Sequence, residues 1–207
     1  MDLKRKRIRN YKYDNNHPLK FVDTLGYGKH IVLLYEEPEF ARLIQFRFIN
    51  NGLLKGEHCI FTTHEQEDNI EFIEKQMTDS DIDVEGFKKK NIIHIYQIPN
   101  AADHPEGELK GLKDIMNRIL TDPKLPVRIV ATANPEISTK EQIAANVNVE
   151  HTFHSNFDKF PGSVLCPYLV EKIEPRLHGQ WLVDILQNHH AAIFAPKLGE
   201  GIAFDML

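Results

Sequence analysis

The chain has few cysteines and lacks the long apolar segments of a membrane or secreted protein. Its two cysteines, Cys59 and Cys166, both lie in apolar runs, which is typical of buried reduced thiols rather than of a disulfide framework. No apolar run approaches the roughly 18 residues that a membrane-spanning helix needs. The basic N-terminus is not followed by the apolar stretch of a signal peptide. We therefore expect a cytoplasmic protein without membrane contact.

An excess of positive charge is also absent. The net charge is −5 and the pI is about 6.1, so the overall charge gives no argument for nucleic-acid binding. The basic residues Lys4, Arg5, Lys6, Arg7 and Arg9 cluster near the N-terminus. We predict that residues 1–27 form a solvated basic arm. Contact of this arm with nucleic acid or an acidic partner is the alternative.

No Ser/Gly-rich linker divides the 207 residues, which predicts a single domain over residues 28–207. Six apolar runs typical of β-strands alternate with helical patterns along this range. Such alternation indicates an α/β fold of three layers, with a mostly parallel sheet and helices on both faces.

The opening of this domain has the pattern of a βαβ unit. An apolar strand, His30–Tyr35, is followed by an acidic turn with Pro38, a helix from about residue 40 to 54, and a second strand over residues 58–63. Apolar residues cover most of the circumference of the helix. We therefore expect this helix to be buried on more than one side or to form a subunit contact.

The elements that follow are less regular. The sequence predicts a helix that begins with the acidic residues after Thr63, a loop-like segment over residues 78–85 and a strand over 91–97. A turn-rich segment, Pro99 to Gly107, occupies the place after a strand where ligand-contacting loops lie in α/β folds. A helix is predicted to run to residue 120, where Asp122-Pro123 ends it, and a strand follows over residues 127–131 until Asn134-Pro135. The next predicted helix covers residues 139–157 and is capped by Ser138. The last three predicted elements are a strand over 163–168, a helix over 179–188 and a strand over 190–195.

The opening unit resembles the start of a KaiC/RecA-like ATPase. The segment Gly52-Leu53-Leu54-Lys55-Gly56-Glu57 is similar to the turn before the second strand of that family, and Glu65 falls where such ATPases carry a catalytic carboxylate. The phosphate loop is not similar. Residues 36–42, EEPEFAR, contain no glycine, lysine or hydroxyl to bind phosphate and Mg²⁺, and the segment around residues 128–133 ends without an acidic Walker B residue. Ordinary Mg·ATP hydrolysis is therefore not expected.

A closer resemblance is to the MEDS domain, a degenerate KaiC-like sensory domain. The residues that carry it are His30 at the start of the first strand, Glu150 in a helix, Cys166 and Tyr168 in the segment Leu-Cys-Pro-Tyr, and a leucine-containing helix that ends at His189. Pro167 and the region 132–149 depart from the family pattern. The resemblance implies a ligand-sensing module without ATPase activity.

From these patterns we predict a non-catalytic sensory or regulatory domain that binds a small ligand at the C-terminal ends of the strands. It would signal through a protein partner or through self-association. The alternative is a KaiC-like nucleotide-binding protein or ATPase with an atypical site that uses Glu65. No cofactor and no catalytic residue is predicted. The candidate pocket comprises His30, Tyr35, Glu36, Glu37, His64, Glu65, Cys166, Tyr168 and His189.

The segment Glu150-His151-x-x-His154 is the remaining motif with chemical meaning. Its spacing places the two histidines near one face of a helix, where a metal site is conceivable. The pattern is not the HExxH signature, and the sequence offers no further ligand. We therefore predict an exposed polar helix face and no metal. Cys166 is predicted to be a buried structural thiol.

Overall fold

The structure is a computed structural model that describes residues 16–64, 68–121, 126–132, 137–173, 175 and 178–206. The strands are β1 (His30–Tyr35), β2 (His58–His64), β3 (Ile93–Ile98), β4 (Val127–Val130), β5 (Gly162–Leu169), β6 (Ala191–Ala195) and β7 (Ile202–Asp205). They form one sheet with the order β3-β2-β4-β5-β1-β6-β7. Only β7, which pairs with β6, is antiparallel to its neighbour within this sheet.

Helices cover both faces of the sheet. They are α1 (Pro18–Thr24), α2 (Pro38–Leu54), α3 (Ile70–Asp79), α4 (Val84–Lys89), α5 (Glu108–Leu120), α6 (Lys140–His154) and α7 (His178–Gln187). Residues of α1 to α4 pack in one core against one face of the sheet. Residues of α5 to α7 pack in a second core against the other face. The predicted three-layer α/β architecture is therefore confirmed.

The central strands are buried on both faces. Strand β1 has the bounds predicted from its apolar run, and only its last residue, Tyr35, is partly exposed. Strand β5 is likewise buried up to Tyr168. A strand covered by helices on both sides needs apolar residues at successive positions rather than alternation, which is why these runs are visible in the sequence.

The N-terminal boundary differs from the prediction. Helix α1 lies within the segment assigned to the basic arm, yet Leu19 and Val22 are almost completely buried in the core. His17 caps this helix by accepting a hydrogen bond from the Leu19 N–H. The folded unit therefore begins before residue 28. The basic residues 4–9 lie outside the described residues.

Helix α2 packs against both the sheet and α1, which explains its apolar circumference. Its Arg47 forms an ion pair with Asp23, and Asn51 Nδ2 donates to the Val22 carbonyl of α1 at 3.3 Å. The prediction that this helix is buried on more than one side is confirmed. Its Phe48 and Ile49 are fully buried in the core on this face of the sheet.

Several predicted boundaries need correction. The helix predicted to begin in the acidic segment after Thr63 begins at Ile70, because Asn69 is its N-cap. The loop-like segment 78–85 runs into helix α4, which Asp83 caps. The cap of α6 is Thr139 in a complete capping box, not Ser138. Strand β7 was not predicted, and the breaks at Asp122-Pro123 and Asn134-Pro135 lie outside the described residues.

Candidate functional site

Four buried polar side chains from four elements meet under helix α6, and we call them the buried cluster. They are His30 at the start of β1, Glu150 in α6, Cys166 in β5 and His189 just before β6. Each is at most 5% exposed. Because His30 aligns with Val164 in the parallel register, Cys166 lies two residues further along β5 on the same face of the sheet. The order of the strands in the sheet therefore brings together residues that are far apart in the sequence.

The polar atoms of the buried cluster are within contact distance. His30 Nε2 lies 3.1 Å from Glu150 Oε2 and 3.4 Å from Cys166 Sγ. His189 Nε2 lies 3.7 Å from the same Glu150 oxygen. One ligand-type atom from each of the four residues falls within 4.8 Å of all the others. The arrangement can therefore share a proton or coordinate one ion.

Burial and the neighbouring groups shift the pKa of Glu150 in opposite directions. Burial favours its neutral form, whereas the neighbouring His189 and His30 and the hydrogen bonds from His30 and Tyr168 favour the carboxylate and hold the pKa below its usual value. Burial lowers the pKa of His189 to about 3, so its imidazole is neutral at neutral pH. Burial also raises the pKa of the Cys166 thiol well above its usual value. At neutral pH the cluster therefore holds the Glu150 carboxylate beside a neutral His189 imidazole and a protonated Cys166 thiol.

The buried cluster is extended by a chain of hydrogen bonds. The Tyr168 hydroxyl donates to Glu150 Oε1 at 2.5 Å and accepts from Asn146 Nδ2 at 2.9 Å. Asn146 Oδ1 in turn accepts from Trp181 Nε1 at 3.2 Å. Asn146 and Glu150 are four residues apart in α6 and therefore lie on the same face of that helix. We call Trp181, Asn146, Tyr168 and Glu150 the hydrogen-bond chain.

Trp181 also lines an open cleft of about 300 Å³ at the C-terminal ends of β1, β5 and β6. We call this the edge cleft. Its walls are mostly apolar, with Glu36 as the charged residue among the described lining residues. The lining comprises Leu34, Tyr35, Glu36, Val170, Ile173, Trp181, Leu182, Phe194, Ala195 and Pro196. Of the acidic segment 36–42, which has no phosphate-loop pattern, Glu36 lines the edge cleft.

Two further spaces lie beside helix α5. One is a cavity of about 60 Å³ between α5, α6 and the sheet, lined almost entirely by apolar side chains, with Glu150 and Cys166 among its polar groups. The other is a cleft of about 310 Å³ formed by the segment 99–105 and α5. The turn-rich segment after β3, which was predicted to lie where ligand-contacting loops are found, forms one wall of this second cleft.

The structure does not bring the predicted pocket residues into one place. His30, Cys166, Tyr168 and His189 belong to the buried cluster and its hydrogen-bond chain. Three others lie at the opposite end of β1, which is about 16 Å long: Tyr35 and Glu36 line the edge cleft, and Glu37 accepts a hydrogen bond from the Leu198 N–H at 3.0 Å. His64 is buried at the end of β2, and Glu65 lies outside the described residues.

Sequence reasoning assigned the wrong environment to Glu150. It was predicted to lie on an exposed helix face with His151 and His154, yet Glu150 is only 5% exposed and His151 is exposed. Asn146 and Trp181 were not singled out as site residues. The available signal was that Asn146 and Glu150 are spaced by four residues like Val149 and Phe153, which places two polar side chains next to the apolar stripe of α6.

The burial of His64 gives a pH-dependent prediction. Both of its ring nitrogens lack a hydrogen-bond partner among the described residues, and burial lowers its pKa from 6.5 to about 4. Between these values the unfolded chain binds a proton that the folded chain does not, so acidification destabilises the fold. We expect this contribution to reduce the free energy of unfolding by about 2 kcal/mol at pH 5 and to be absent above about pH 7.

Urea unfolding of the wild type and of His64→Leu at both pH values measures this effect. The stability of His64→Leu relative to the wild type should increase by about 2 kcal/mol between pH 7.5 and pH 5, because leucine has no proton to bind. A stability difference that is the same at both pH values would contradict the prediction.

Comparisons with known proteins agree with the resemblance described above. The sequence profile of the family described as "MEthanogen/methylotroph, DcmR Sensory domain", abbreviated MEDS, matches residues 29–190. Among solved structures, a KaiC-like protein from the hyperthermophilic archaeon Pyrococcus horikoshii OT3 is similar, with a TM-score of 0.54 and 15% sequence identity over 86% of this chain and 77% of that chain. No curated protein matches. Within the described residues, no helix has the length and apolar character required to cross a membrane.

Proposed function

The chain belongs to the MEDS family, and from this premise we propose that it is a non-catalytic sensory domain that binds a small, largely apolar ligand in the edge cleft. Family membership is consistent with a sensory or regulatory role, and ligands of α/β proteins commonly bind at the C-terminal ends of parallel strands, where the edge cleft lies. The observation that carries the proposal is the position of Trp181. This side chain forms a wall of the cleft and begins the hydrogen-bond chain that leads to the buried cluster.

The lining of the edge cleft indicates the chemistry of its ligand. The apolar side chains Leu34, Phe194 and Leu182 favour a hydrocarbon body. Glu36 is exposed and favours a cationic or hydrogen-bond-donating group. A triphosphate is disfavoured, because the turn that replaces the phosphate loop carries three carboxylates and Pro38, which lacks an N–H.

Binding of a ligand in the edge cleft would affect the rest of the molecule through α7. A ligand that displaces Trp181 changes the contact between α7 and Asn146 of α6. Because packed helices respond by discrete shifts, such a change alters the outer surface of both helices. We propose that a protein partner or a second copy of the chain recognises this surface.

Trp181 is the single tryptophan of the chain, so its fluorescence tests the proposal directly. We expect straight-chain alkylammonium ions to shift the Trp181 emission, with alkanols of the same length weaker and alkanoates weakest. The Glu36→Gln variant should weaken alkylammonium binding by about 5-fold, the equivalent of about 1 kcal/mol for an exposed ion pair. Glu39→Gln, in the first turn of α2 and outside the cleft lining, is the matched control and should bind like the wild type.

Mg·ATP serves as the comparison ligand for the same preparation. We expect neither an emission shift nor phosphate release above the rate without protein. The proposal fails if none of the three ligand series changes the Trp181 emission or the melting temperature. Phosphate release that requires the protein would instead support the alternative of an atypical ATPase.

A further inference from the structure

The donor set of the buried cluster is that of a transition-metal site. It offers two imidazole nitrogens, from His30 and His189, one sulfur, from Cys166, and one carboxylate oxygen, from Glu150. Nitrogen and sulfur donors suit Zn²⁺ and similar first-row ions, whereas Mg²⁺ and Ca²⁺ prefer oxygen donors throughout. The four side chains come from different elements of the rigid core, so their positions are set by packing.

The distances within the buried cluster match a tetrahedron. With metal–ligand bonds of 2.0–2.3 Å, the edges of a tetrahedral site measure about 3.3–3.8 Å. The distances from Glu150 Oε2 to His30 Nε2, His189 Nε2 and Cys166 Sγ are 3.1, 3.7 and 4.0 Å. The His30–Cys166 distance is 3.4 Å. These four distances are therefore within a few tenths of an ångström of tetrahedral edges, and the two remaining distances, from His189 Nε2 to His30 and to Cys166, are no longer than 4.8 Å.

His189 is oriented as a metal-binding histidine. Its Nδ1 lies 2.7 Å from the Ile185 carbonyl, so Nδ1 carries the proton and Nε2 has a free lone pair. Nε2 is buried and has no hydrogen-bond partner among the described residues, and it faces the Glu150 carboxylate. A backbone carbonyl that fixes the tautomer is a common support of ligating histidines. A coordinated ion would satisfy a nitrogen that the protein itself leaves unpaired.

Glu150 has a corresponding support. The Tyr168 hydroxyl donates to Oε1, the oxygen that does not face the histidines, and leaves Oε2 for coordination. Hydrogen bonds of this kind orient ligating carboxylates. Tyr168 is in turn positioned by Asn146. The hydrogen-bond chain thus ends on the Glu150 carboxylate, whose other oxygen is the candidate ligand atom.

From this geometry we propose that the buried cluster of His30, Glu150, Cys166 and His189 binds one zinc-class divalent transition-metal ion per chain. The Cys166 thiol loses its proton to solvent on binding and coordinates as the thiolate. The inference rests on the buried cluster alone and is independent of a ligand in the edge cleft. The sequence had predicted no metal, because His30 and His189 are far from Glu150 along the chain.

Titration of the full chain, after dialysis against a chelator, with Co²⁺ tests the proposal. We expect one Co²⁺ per chain, the visible absorption of tetrahedral cobalt, a near-ultraviolet thiolate-to-cobalt charge-transfer band, and loss of these signals on addition of Zn²⁺. Cys166→Ser should abolish the charge-transfer band and weaken Co²⁺ binding by at least about 100-fold, more than is usual for loss of a supporting residue. His189→Gln should weaken binding by a similar factor.

Cys59→Ser is the matched control, because Cys59 is equally buried but lies in the core on the other face of the sheet. It should retain the band and the stoichiometry. Trp181 emission reports whether each variant is folded. A folded wild-type chain that gives no thiolate band, or a folded Cys166→Ser that retains it, would overturn the proposal. If both ligand variants fail to fold, the wild-type titration alone still decides, since the band requires a coordinated cysteine.

Discussion

Glu57→Gln is expected to lower the free energy of unfolding by about 3–5 kcal/mol, because it leaves a buried guanidinium without its counter-charge. Arg128 is fully buried in β4. Its Nε donates to Glu57 Oε2 at 2.6 Å and its Nη2 donates to Oε1 at 3.0 Å. Nη1 donates to the Phe48 carbonyl, and the guanidinium also lies over the Phe48 ring at 4.7 Å. The buried charges of Glu57 and Arg128 therefore depend on each other for a counter-charge and for their mutual hydrogen bonds.

Urea unfolding with a matched pair of variants measures this effect. Glu200→Gln makes the same change in an exposed ion pair with Lys197 and should alter stability by at most about 1 kcal/mol. The double variant Glu57→Leu/Arg128→Met should recover most of the stability lost in Glu57→Gln, because no charge remains buried. Equal effects of Glu57→Gln and Glu200→Gln would show that the buried pair contributes no more than a surface pair.

The same ion pair explains the turn that resembles KaiC-like ATPases. A Cβ at Gly52 would lie 2.7 Å from Arg128 Cδ, so glycine provides the space in which the arginine lies. Gly56 has a φ of +78°, which the turn into β2 requires. Glu57 then pairs with Arg128. In this chain the segment from Gly52 to Glu57 therefore stabilises the core by enclosing and pairing Arg128.

The fold could be predicted because the central strands are apolar at successive positions. His30–Tyr35 was located to the residue from this pattern. Strand β7 was missed, since Ile202–Asp205 is only 4 residues long, and Ile202 and Phe204 are exposed at the edge of the sheet. The start of α3 was placed too early because acidic residues suggested a first turn, whereas the Asn69 cap decides the boundary.

The site was harder to predict, because its residues lie at different positions along the strands of the sheet. His30 and Tyr35 stand at the two ends of one strand, so a list of polar residues near strands cannot tell which of them meet. Glu150 in α6 was predicted to be exposed because carboxylates rarely occur in cores without a partner. Its partners are His30 and Tyr168, and only the parallel pairing of β1 with β5 brings them together.

Asn146→Leu is expected to lower the free energy of unfolding by about 2–4 kcal/mol, because it leaves buried polar atoms of the hydrogen-bond chain unpaired. Asn146 is 1% exposed and Trp181 is 3% exposed, so water cannot replace the lost partner of the indole N–H. The Tyr168 hydroxyl also loses a donor, although it can still donate to Glu150. Leucine is similar in size, so the loss measures the polar contacts more than the packing.

A double-mutant cycle with Trp181→Phe separates the indole contact from general destabilisation. Phenylalanine retains an aromatic ring against Tyr168, which lies 5.2 Å away in an edge-on arrangement, but it has no N–H. In the Asn146→Leu background the N–H is already unpaired, so removing it should cost about 1–2 kcal/mol less than in the wild type. Asn51→Leu on α2, which bonds to the Val22 carbonyl, is the matched asparagine control and should show no coupling to Trp181→Phe.

Whether the edge cleft and the buried cluster communicate is decided by the effect of one ligand on the affinity for the other. If Asn146 links them, Asn146→Leu should also remove any effect of alkylammonium ions on Co²⁺ affinity at the buried cluster, while both ligands still bind separately. Reciprocal changes in affinity that persist in Asn146→Leu would show that another set of contacts couples the two sites. Zero coupling in the stability cycle would indicate that Trp181 and Asn146 contribute independently, and that the hydrogen-bond chain does not act as a unit.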